Sequence, residues 1–413
     1  MQILLVGGAV RDTLLGLPVT ERDWVVIGGT PEQMLALGYR QVGNDFPVFL
    51  HPQTAEEYAL ARRERKSGHG YHGFSIDSDA DVTLEEDLSR RDLSVNAMAI
   101  DTNGRLIDPW GGERDLHDRV LRHVSPAFTE DPLRVLRVAR FMARFAGLGF
   151  RVHPQTIELM REITASGELG HLVAERIWSE IRRALAEPSP QEFVRTLREC
   201  GALTVVLPEL DALFGVPQPP LHHPEIDTGE HVLLALQLAA RLKLSGAARF
   251  AVLVHDLGKA LTPRERWPAH IGHERLGTAP VRTLCERLRV PKAWRELALL
   301  VCLHHTRCHR AVEMRAAALV RLLEKLDAWR QEERFDEFLG ACEADARGRA
   351  GFEERAYPSA VRLRLARDAA RGVSAAAALA RGLRGEQIAR DLHQQRCRAV
   401  ARSLEENDGL PSP

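Results

Sequence analysis

Two carboxylates, Glu21 and Asp23, stand two positions apart at the head of the apolar run Trp24-Val25-Val26-Ile27, shortly after a Gly7-Gly8 pair. A strand starting there would turn both side chains to one face. Hard cations such as Mg²⁺ take carboxylate oxygens together with substrate phosphates. Two such ions can assist an attacking hydroxyl and a departing pyrophosphate. The glycines suit a phosphate cradle: residues 3–6 are apolar and too few for a helix, Gly7-Gly8 can turn sharply, and residues 9–15 read as a helix closed by Gly16. Phosphate favours the N-terminus of such a helix, and Arg11 one turn in adds a charge-assisted contact. A plain turn followed by a solvated acidic face is the competing reading of each piece alone.

Arg90-Arg91-Asp92, followed by Asn96-Ala97, reads either as a salt-bridged turn or as Arg91 set against a triphosphate, with Asp92 and Asn96 fixing the turn or a ribose. Glu130-Asp131-Pro132-Leu133-Arg134 has the chemistry of a helix start, and Arg134, Arg137, Arg140 and Arg144 follow at helical spacing. That stripe fits a solvated basic face or a phosphate-binding one. Asp131 and Arg134 together allow something sharper. A carboxylate accepts from an exocyclic amine and an arginine donates to a ring nitrogen, which complements both cytosine and adenine. Guanine and uracil would leave buried groups unpaired at ~1–3 kcal/mol each.

A third constellation comprises His231, His255-Asp256, His270, His273, His304-His305 and Asp345 on helical segments. Borderline metals accept imidazole and carboxylate together, so the set predicts a metal that activates water for phosphoester hydrolysis. Any one of these histidines taken singly is more readily a surface or core residue.

The elements that must position these groups change character along the chain. Residues 1–125 mix strand-like runs (24–27, 48–50, 58–61 and 97–100) with short helices and turns, an α/β pattern. The polar, glycine-rich stretch 64–81 reads as a mobile loop. From Pro132 onward helices dominate, punctuated by Pro188-Ser189-Pro190 and Pro217-Gln218-Pro219-Pro220. The expected fold is an α/β palm-like head (1–125), an all-α neck and body (126–220), an all-α metal-binding domain (221–349) and a helical tail (350–413). No internal repeat is evident. At 413 residues, 45% hydrophobic and 27% charged, the chain has the composition of a soluble globular protein. A net charge of −1 excludes global basicity as the basis of nucleic-acid binding, so any RNA contact must come from local patches. Six cysteines without a Cys-x-x-Cys pair read as reduced thiols of a cytoplasmic protein. The N-terminal apolar run is far shorter than a signal-peptide core, and no stretch approaches the ~20 apolar residues of a membrane span.

In chain order, Gly7-Gly8-Ala9-Val10-Arg11-Asp12, Glu21-Arg22-Asp23-Trp24, Arg90 to Ala97, Glu130 to Arg137 and the helical Glu175-Arg176-Ile177-Trp178-Ser179-Glu180 resemble the successive motifs of class II, template-independent tRNA nucleotidyltransferases. The likeness extends to the bacterial CCA-adding members fused to an HD phosphohydrolase domain, and it covers essentially the whole chain. It implies addition of CMP, CMP and AMP to a tRNA 3′ end from CTP and ATP. Glu21 and Asp23 would be the Mg²⁺ ligands, Gly8, Arg11, Arg91, Arg137 and Arg140 the nucleotide contacts, and Asp131 with Arg134 the base readers. The family usually has Asp at both metal positions, and Glu21 departs from that by a methylene. Glu57, on a neighbouring strand, is a further carboxylate in reach. For the HD domain the resemblance implies 2′,3′-cyclic phosphodiesterase, 2′-nucleotidase and phosphatase activity with a transition metal, nickel among the options. His255 and Asp256 would be its core, His231 and Asp345 further ligands, and His304 and His305 additional ones. Partners would be tRNA, CTP and ATP, with no membrane, in a monomer or homodimer. A class II poly(A) polymerase shares every head motif and is the nearest rival. An RNA-binding phosphohydrolase with a non-catalytic head is the rival of another class.

Overall fold

The computed structural model describes residues 1–42, 48–66, 74–77 and 81–407. They form two compact units, Met1–Val206 and Leu207–Pro413. The first unit begins with β1 (Gln2–Val6), α1 (Gly8–Leu14), β2 (Asp23–Ile27), β3 (Arg40–Val42), β4 (Val48–Leu50), β5 (Glu57–Leu60), β6 (Arg63–Lys66), β7 (Phe74–Asp77), α2 (Leu84–Ser89), β8 (Ala99–Ile100) and β9 (Leu106–Ile107). Seven strands make one mixed sheet in the order β3-β4-β5-β2-β1-β8-β9. Alternation along the strands sorts side chains to the two faces. Val25 packs with Leu4, Val6, Leu88 and Ala97 on one face, while Val26 packs with Met34, Phe49, Tyr58 and Leu60 on the other.

Register sets the functional geometry. The antiparallel β1–β2 pair matches Val6 with Asp23, and the parallel β2–β5 pair matches Asp23 with Glu57. The end of β1, from which the glycine turn departs, is therefore the place where the Asp23 carboxylate begins β2. Part of the segment expected to be a loop is instead a hairpin: β6 and β7 pair antiparallel, from Arg63 with Asp77 to Lys66 with Phe74. The glycine-rich Ser67 to Tyr71 motif between them lies outside the described residues.

The helical body of this unit is built on α3 (Leu133–Phe145), which packs against α4 (Ala174–Ala186) and α5 (Gln191–Glu199). The second unit centres on α6 (Thr228–Arg241), α7 (Gly246–Val254), α8 (Lys292–His309), α9 (Ala316–Leu326) and α10 (Glu332–Arg347), of which α7 and α10 pack on each other and each on both α6 and α8. Asp227 caps α6 by accepting from Glu230 N at 2.9 Å, which leaves His231 in the first turn and facing inward. The tail adds α11 (Pro358–Arg371) and α12 (Glu386–Asn407), and α12 packs on α9 and α11.

Candidate active sites

Gly7 joins β1 to α1 with φ +71 and ψ −131, a conformation open to glycine alone. A Cβ there would also stand 2.9 Å from Nη1 of Arg91. The glycine thus serves two ends, turning the chain and admitting a guanidinium against the backbone. Arg91 is held in that place by the fully buried Asp87 of α2, which accepts from its Nη2 at 3.3 Å and from Nη2 of Arg90 at 2.7 Å. Sequence reasoning passed over Asp87, although its spacing of three and four from the two arginines was the available signal.

Gly8, Arg11, Glu21, Asp23, Arg91, Asp131, Arg134, Arg137 and Arg140 all line one cleft of ≈ 510 Å³. Its walls carry ten arginines against the four acids Glu21, Asp23, Asp92 and Asp131. A chain of net charge −1 therefore concentrates a strongly positive, anion-attracting field here. Glu21 is not on the strand expected for it. β2 starts at Asp23, and Glu21 lies in the irregular segment before it, so the pair is brought together by the cleft rather than by strand alternation. Burial pushes the Asp23 carboxyl up from its ordinary range; Arg91 opposes this and the charge of Glu21 adds to it. Glu57 neighbours Asp23 in register, but among the described residues the three carboxylates do not converge within 4.8 Å.

The arginine stripe of α3 is neither a solvated face nor a row of unengaged phosphate ligands. Arg137 donates through Nε to Asp92 at 2.7 Å, Arg140 to Glu180 of α4 at 2.6 Å, and Arg144 to Asp12 of α1 at 2.9 Å. Arg11 is 3% exposed, donates to Asp12 and to Asn96 Oδ1 at 2.8 and 2.6 Å, and lies over the rings of Phe141 and Phe145. Asp92 also accepts from Leu93 N and Asn96 Nδ2 at 2.8 and 2.9 Å, which fixes the turn. Arg137 holds its carboxylate well below the ordinary range against the opposing effect of burial. Arg134 N donates to the Asp131 carbonyl at 3.0 Å, and the two side chains have partners of their own. Asp131 caps α3 through Leu133 N at 3.0 Å and meets Arg176 at 3.2 Å, while Arg134 donates to the carbonyls of Ala127 and Arg90.

In the second unit His231, His255, Asp256, His273, His305 and Asp345 gather from α6, the end of α7, a short helix His273–Leu276, α8 and α10. Gly258 permits this packing, since a Cβ there would fall 2.0 Å from the carbonyl of His273. The Nδ1 atoms of His255, His273 and His305 each bond a backbone carbonyl, of Val252, His270 and Val301, at 2.7, 3.0 and 3.0 Å. That assigns their protons to Nδ1 and turns bare Nε2 atoms inward. Nε2 of His273 and Nε2 of His305 face one another at 3.2 Å, and Nε2 of His255 lies 3.2 Å from Asp256 and 3.6 Å from Asp345. Nε2 of His231 bonds Asp345 at 3.0 Å.

This centre fits a divalent cation. His255 Nε2 and Asp256 Oδ1 are buried without a hydrogen-bond partner, and two imidazole lone pairs facing each other repel unless a positive charge lies between them. Burial would lower the His255 imidazole, yet the carboxylates of Asp256 and Asp345 outweigh it and push it up, and the same negative potential would draw a metal cation to Nε2. Two converging groups share Asp256: His231, His255 and Asp256 in one, Asp256, His273 and His305 in the other. Around them, Glu225 lies 2.9 Å from His231 Nδ1, His309 bonds Asp345 at 2.7 Å, and Lys259 bonds Asp256 at 2.6 Å. Glu225 and His309 were missed in the sequence because nothing in their spacing links them to the motif.

His304 departs from expectation. It belongs to none of the converging ligand groups among the described residues and lines a different cavity. His270 is structural: its nitrogens bond Thr262 Oγ1 and the Pro217 carbonyl at 2.6 and 2.7 Å.

Comparison with known proteins adds to this geometry. Residues 3–122 match the poly A polymerase head domain, 149–214 the probable RNA and SrmB-binding site of polymerase A, and 228–345 the HD domain. A multifunctional CCA protein of Pseudomonas fluorescens is 59% identical over 97% of this chain and 98% of its own length. Another, from Methylococcus capsulatus, is 59% identical over 97% and 95%. The chain belongs to the multifunctional CCA protein family. Solved structures agree on the fold of this family. An apo CCA-adding enzyme superimposes with a TM-score of 0.65 at 21% identity, covering 98% of this chain and 91% of the other. The Thermotoga maritima CCA-adding enzyme complexed with tRNA gives 0.63 at 19% identity, covering 98% and 90%. As in an enzyme built from such domains, both centres here offer donors suited to divalent metal. Among the described residues no helix is long and apolar enough to cross a membrane.

Proposed function

We propose that the head adds C, C and A to tRNA 3′ ends from CTP and ATP with release of pyrophosphate, and that the HD domain hydrolyses phosphoesters, including 2′,3′-cyclic and 2′ phosphates. The observation that carries the first half is the single cleft in which two carboxylates, the arginine field and the Asp131/Arg134 pair meet.

In this reading Glu21 and Asp23 hold magnesium, which when bound would supply Lewis-acid charge to the attacking hydroxyl and the departing pyrophosphate. Arg91, braced by Asp87, meets the triphosphate beside the Gly7-Gly8 turn. Arg137 spends Nε and Nη2 on Asp92, which leaves Nη1 as its donor for a nucleotide. Arg11 and Arg140, already paired, contribute fixed positive potential, and such preorganised charge does most of the work in phosphoryl transfer. Asp131 accepts from the exocyclic amine of C or A, and Arg134 donates to the ring nitrogen.

In the HD domain His231, His255, Asp256 and Asp345 would hold the metal, with His273 and His305 completing a second set around Asp256. A divalent ion such as nickel would supply polarisation of the phosphoester and of the attacking water. Lys259, fixed on Asp256, offers an ammonium to the phosphate.

A trimmed tRNA supplied with CTP and ATP tests the head: three discrete additions are expected, lost in Asp23→Ala with the fold intact. A long A ladder would favour the poly(A) polymerase, and absence of pyrophosphate release would favour the non-catalytic head. Loss of 2′,3′-cyclic nucleotide hydrolysis in Asp256→Ala, with CCA addition retained, tests the HD domain.

A further inference from the structure

A cavity of ≈ 610 Å³ in the second unit lies along α8 beside the metal cluster and has no role in the reading above. His304 lines it, while the adjacent His305 turns to the cluster. Arg275, Arg307, Arg310 and Lys325 supply four cations to its walls, against Glu274 and Glu313. Both acids are engaged: Glu313 pairs with Arg310 at 3.1 Å, and Glu274 accepts from Thr306 Oγ1 at 2.6 Å. Arg275, Arg307 and Lys325 make no ion pair with any described residue. Leu303 and Met314 add an apolar surface beside them.

A ring of solvated cations is ordinary on a protein surface, so a second observation matters. His304 is 4% exposed, and its Nδ1 is buried with no hydrogen-bond partner. A buried donor or acceptor left unpaired costs ~1–3 kcal/mol, which a polar ligand in the cavity would offset. The cavity also adjoins the catalytic one: Thr306 lines both this space and the ≈ 150 Å³ pocket that contains His273, His305, His309 and Asp345.

We propose that this cavity is a phosphate subsite for RNA, seating a backbone phosphate of a strand whose 3′ end lies at the HD cluster. The inference rests on the phosphohydrolase reading of that cluster and extends it, since it makes an RNA end rather than a free mononucleotide the preferred substrate. Cations on one side of Thr306 and metal ligands on the other give a phosphodiester chain two anchors, whereas a mononucleotide reaches only one.

The test uses the full chain and two substrates, 2′,3′-cyclic CMP and a short RNA oligonucleotide ending in a 2′,3′-cyclic phosphate. Arg307→Ala and Lys325→Ala remove exposed side chains. Each is expected to raise KM for the oligonucleotide several-fold, and the double variant about tenfold or more, with a shallower salt dependence. Hydrolysis of cyclic CMP should stay unchanged. Equal effects on both substrates, or none on either, would overturn the subsite. If the wild type hydrolyses neither substrate, the phosphohydrolase reading fails, and a separate measurement still decides the cavity. That measurement follows the His304 ring resonances in isotope-labelled protein, assigned with His304→Gln. A shift on adding the RNA, absent with inorganic phosphate at the same concentration, supports the proposal. A shift with inorganic phosphate alone reassigns the cavity to free anions and overturns it, as does no shift with either.

Discussion

Arg176 of α4 holds the carboxylate of Asp131 at 3.2 Å, across from the Arg134 with which Asp131 was expected to act. Arg134 is tied to the carbonyl of Ala127 at 2.6 Å and to that of Arg90. Both groups proposed to read the base are thus oriented by partners of their own. Preorganisation of this kind reduces the ordering cost of recognition. Asp131→Asn keeps the shape but turns one acceptor edge into a donor. The expected outcome is a roughly 10- to 100-fold fall in kcat/KM for CTP and ATP, with discrimination against UTP weakened. Single-nucleotide incorporation on trimmed tRNA with each of the four triphosphates checks it.

Asp92 accepts from Leu93 N, Asn96 Nδ2 and both Nε and Nη2 of Arg137, and so fastens the turn after α2 to helix α3. Removing one partner of such a pair strands the other. Breaking a fully buried pair costs ~3–5 kcal/mol, but the Arg137 side chain is 34% exposed, so water screens part of the loss. Asp92→Ala is therefore expected to lower stability by about 2–4 kcal/mol and to raise KM for both nucleotides. Urea unfolding alongside steady-state kinetics separates the two effects.

The parts of the head that were legible in the sequence are those carried by short-range pattern. The β1 run, the Gly7 turn and the β2 run needed only their neighbours, because a glycine pair able to turn sharply and a short apolar run bounded by turn residues are local facts. The partners of the arginines were not legible. Asp12, Asp92 and Glu180 reach α3 from three other elements, and no periodicity links them to it. Glu21 was misplaced because its two-residue spacing from Asp23 implies a shared strand face only where the strand already exists, and here it begins at Asp23. In the HD domain the His/Asp set that converges was legible in part, yet His304 and His305 turn to different sides of α8. Successive residues on a helix diverge by ~100°, so one of the two must turn away.

Two buried thiols predict a pH dependence. Burial pushes both Cys285 and Cys302 up to about 12. In the unfolded chain a thiol titrates near ~8.5, so between that value and about 12 the folded state keeps a proton that the unfolded state has lost. Their contribution to stability is then full below ~8.5 and is lost as pH rises, by up to ~1.4 kcal/mol per pH unit for each thiol. Urea midpoints should fall as pH is raised through this window, and less steeply in Cys285→Ala. Native Cys285 should also resist alkylation near neutral pH, because the reactive thiolate is scarce.

The histidines of α8 provide the sharpest separation of structural from metal-binding roles. His305 directs Nε2 to His273 and Asp256 with its Nδ1 fixed on Val301, whereas His304 faces away. If a divalent ion lies among the converging nitrogens, its binding must stabilise the second unit by mass action, by ~2.7 kcal/mol at a hundredfold excess over Kd. Addition of nickel or magnesium to chelator-treated protein should accordingly raise the unfolding temperature of the wild type and of His304→Ala. The same addition to His255→Ala should do little, and His305→Ala should need at least about tenfold more metal for the same shift. Glu225→Gln, which withdraws the carboxylate 2.9 Å from His231 Nδ1, should fall between them, since it changes how a ligand is oriented and removes none. A His304→Ala variant that lost the metal-dependent shift while His305→Ala kept it would reverse the assignment of the two faces of α8.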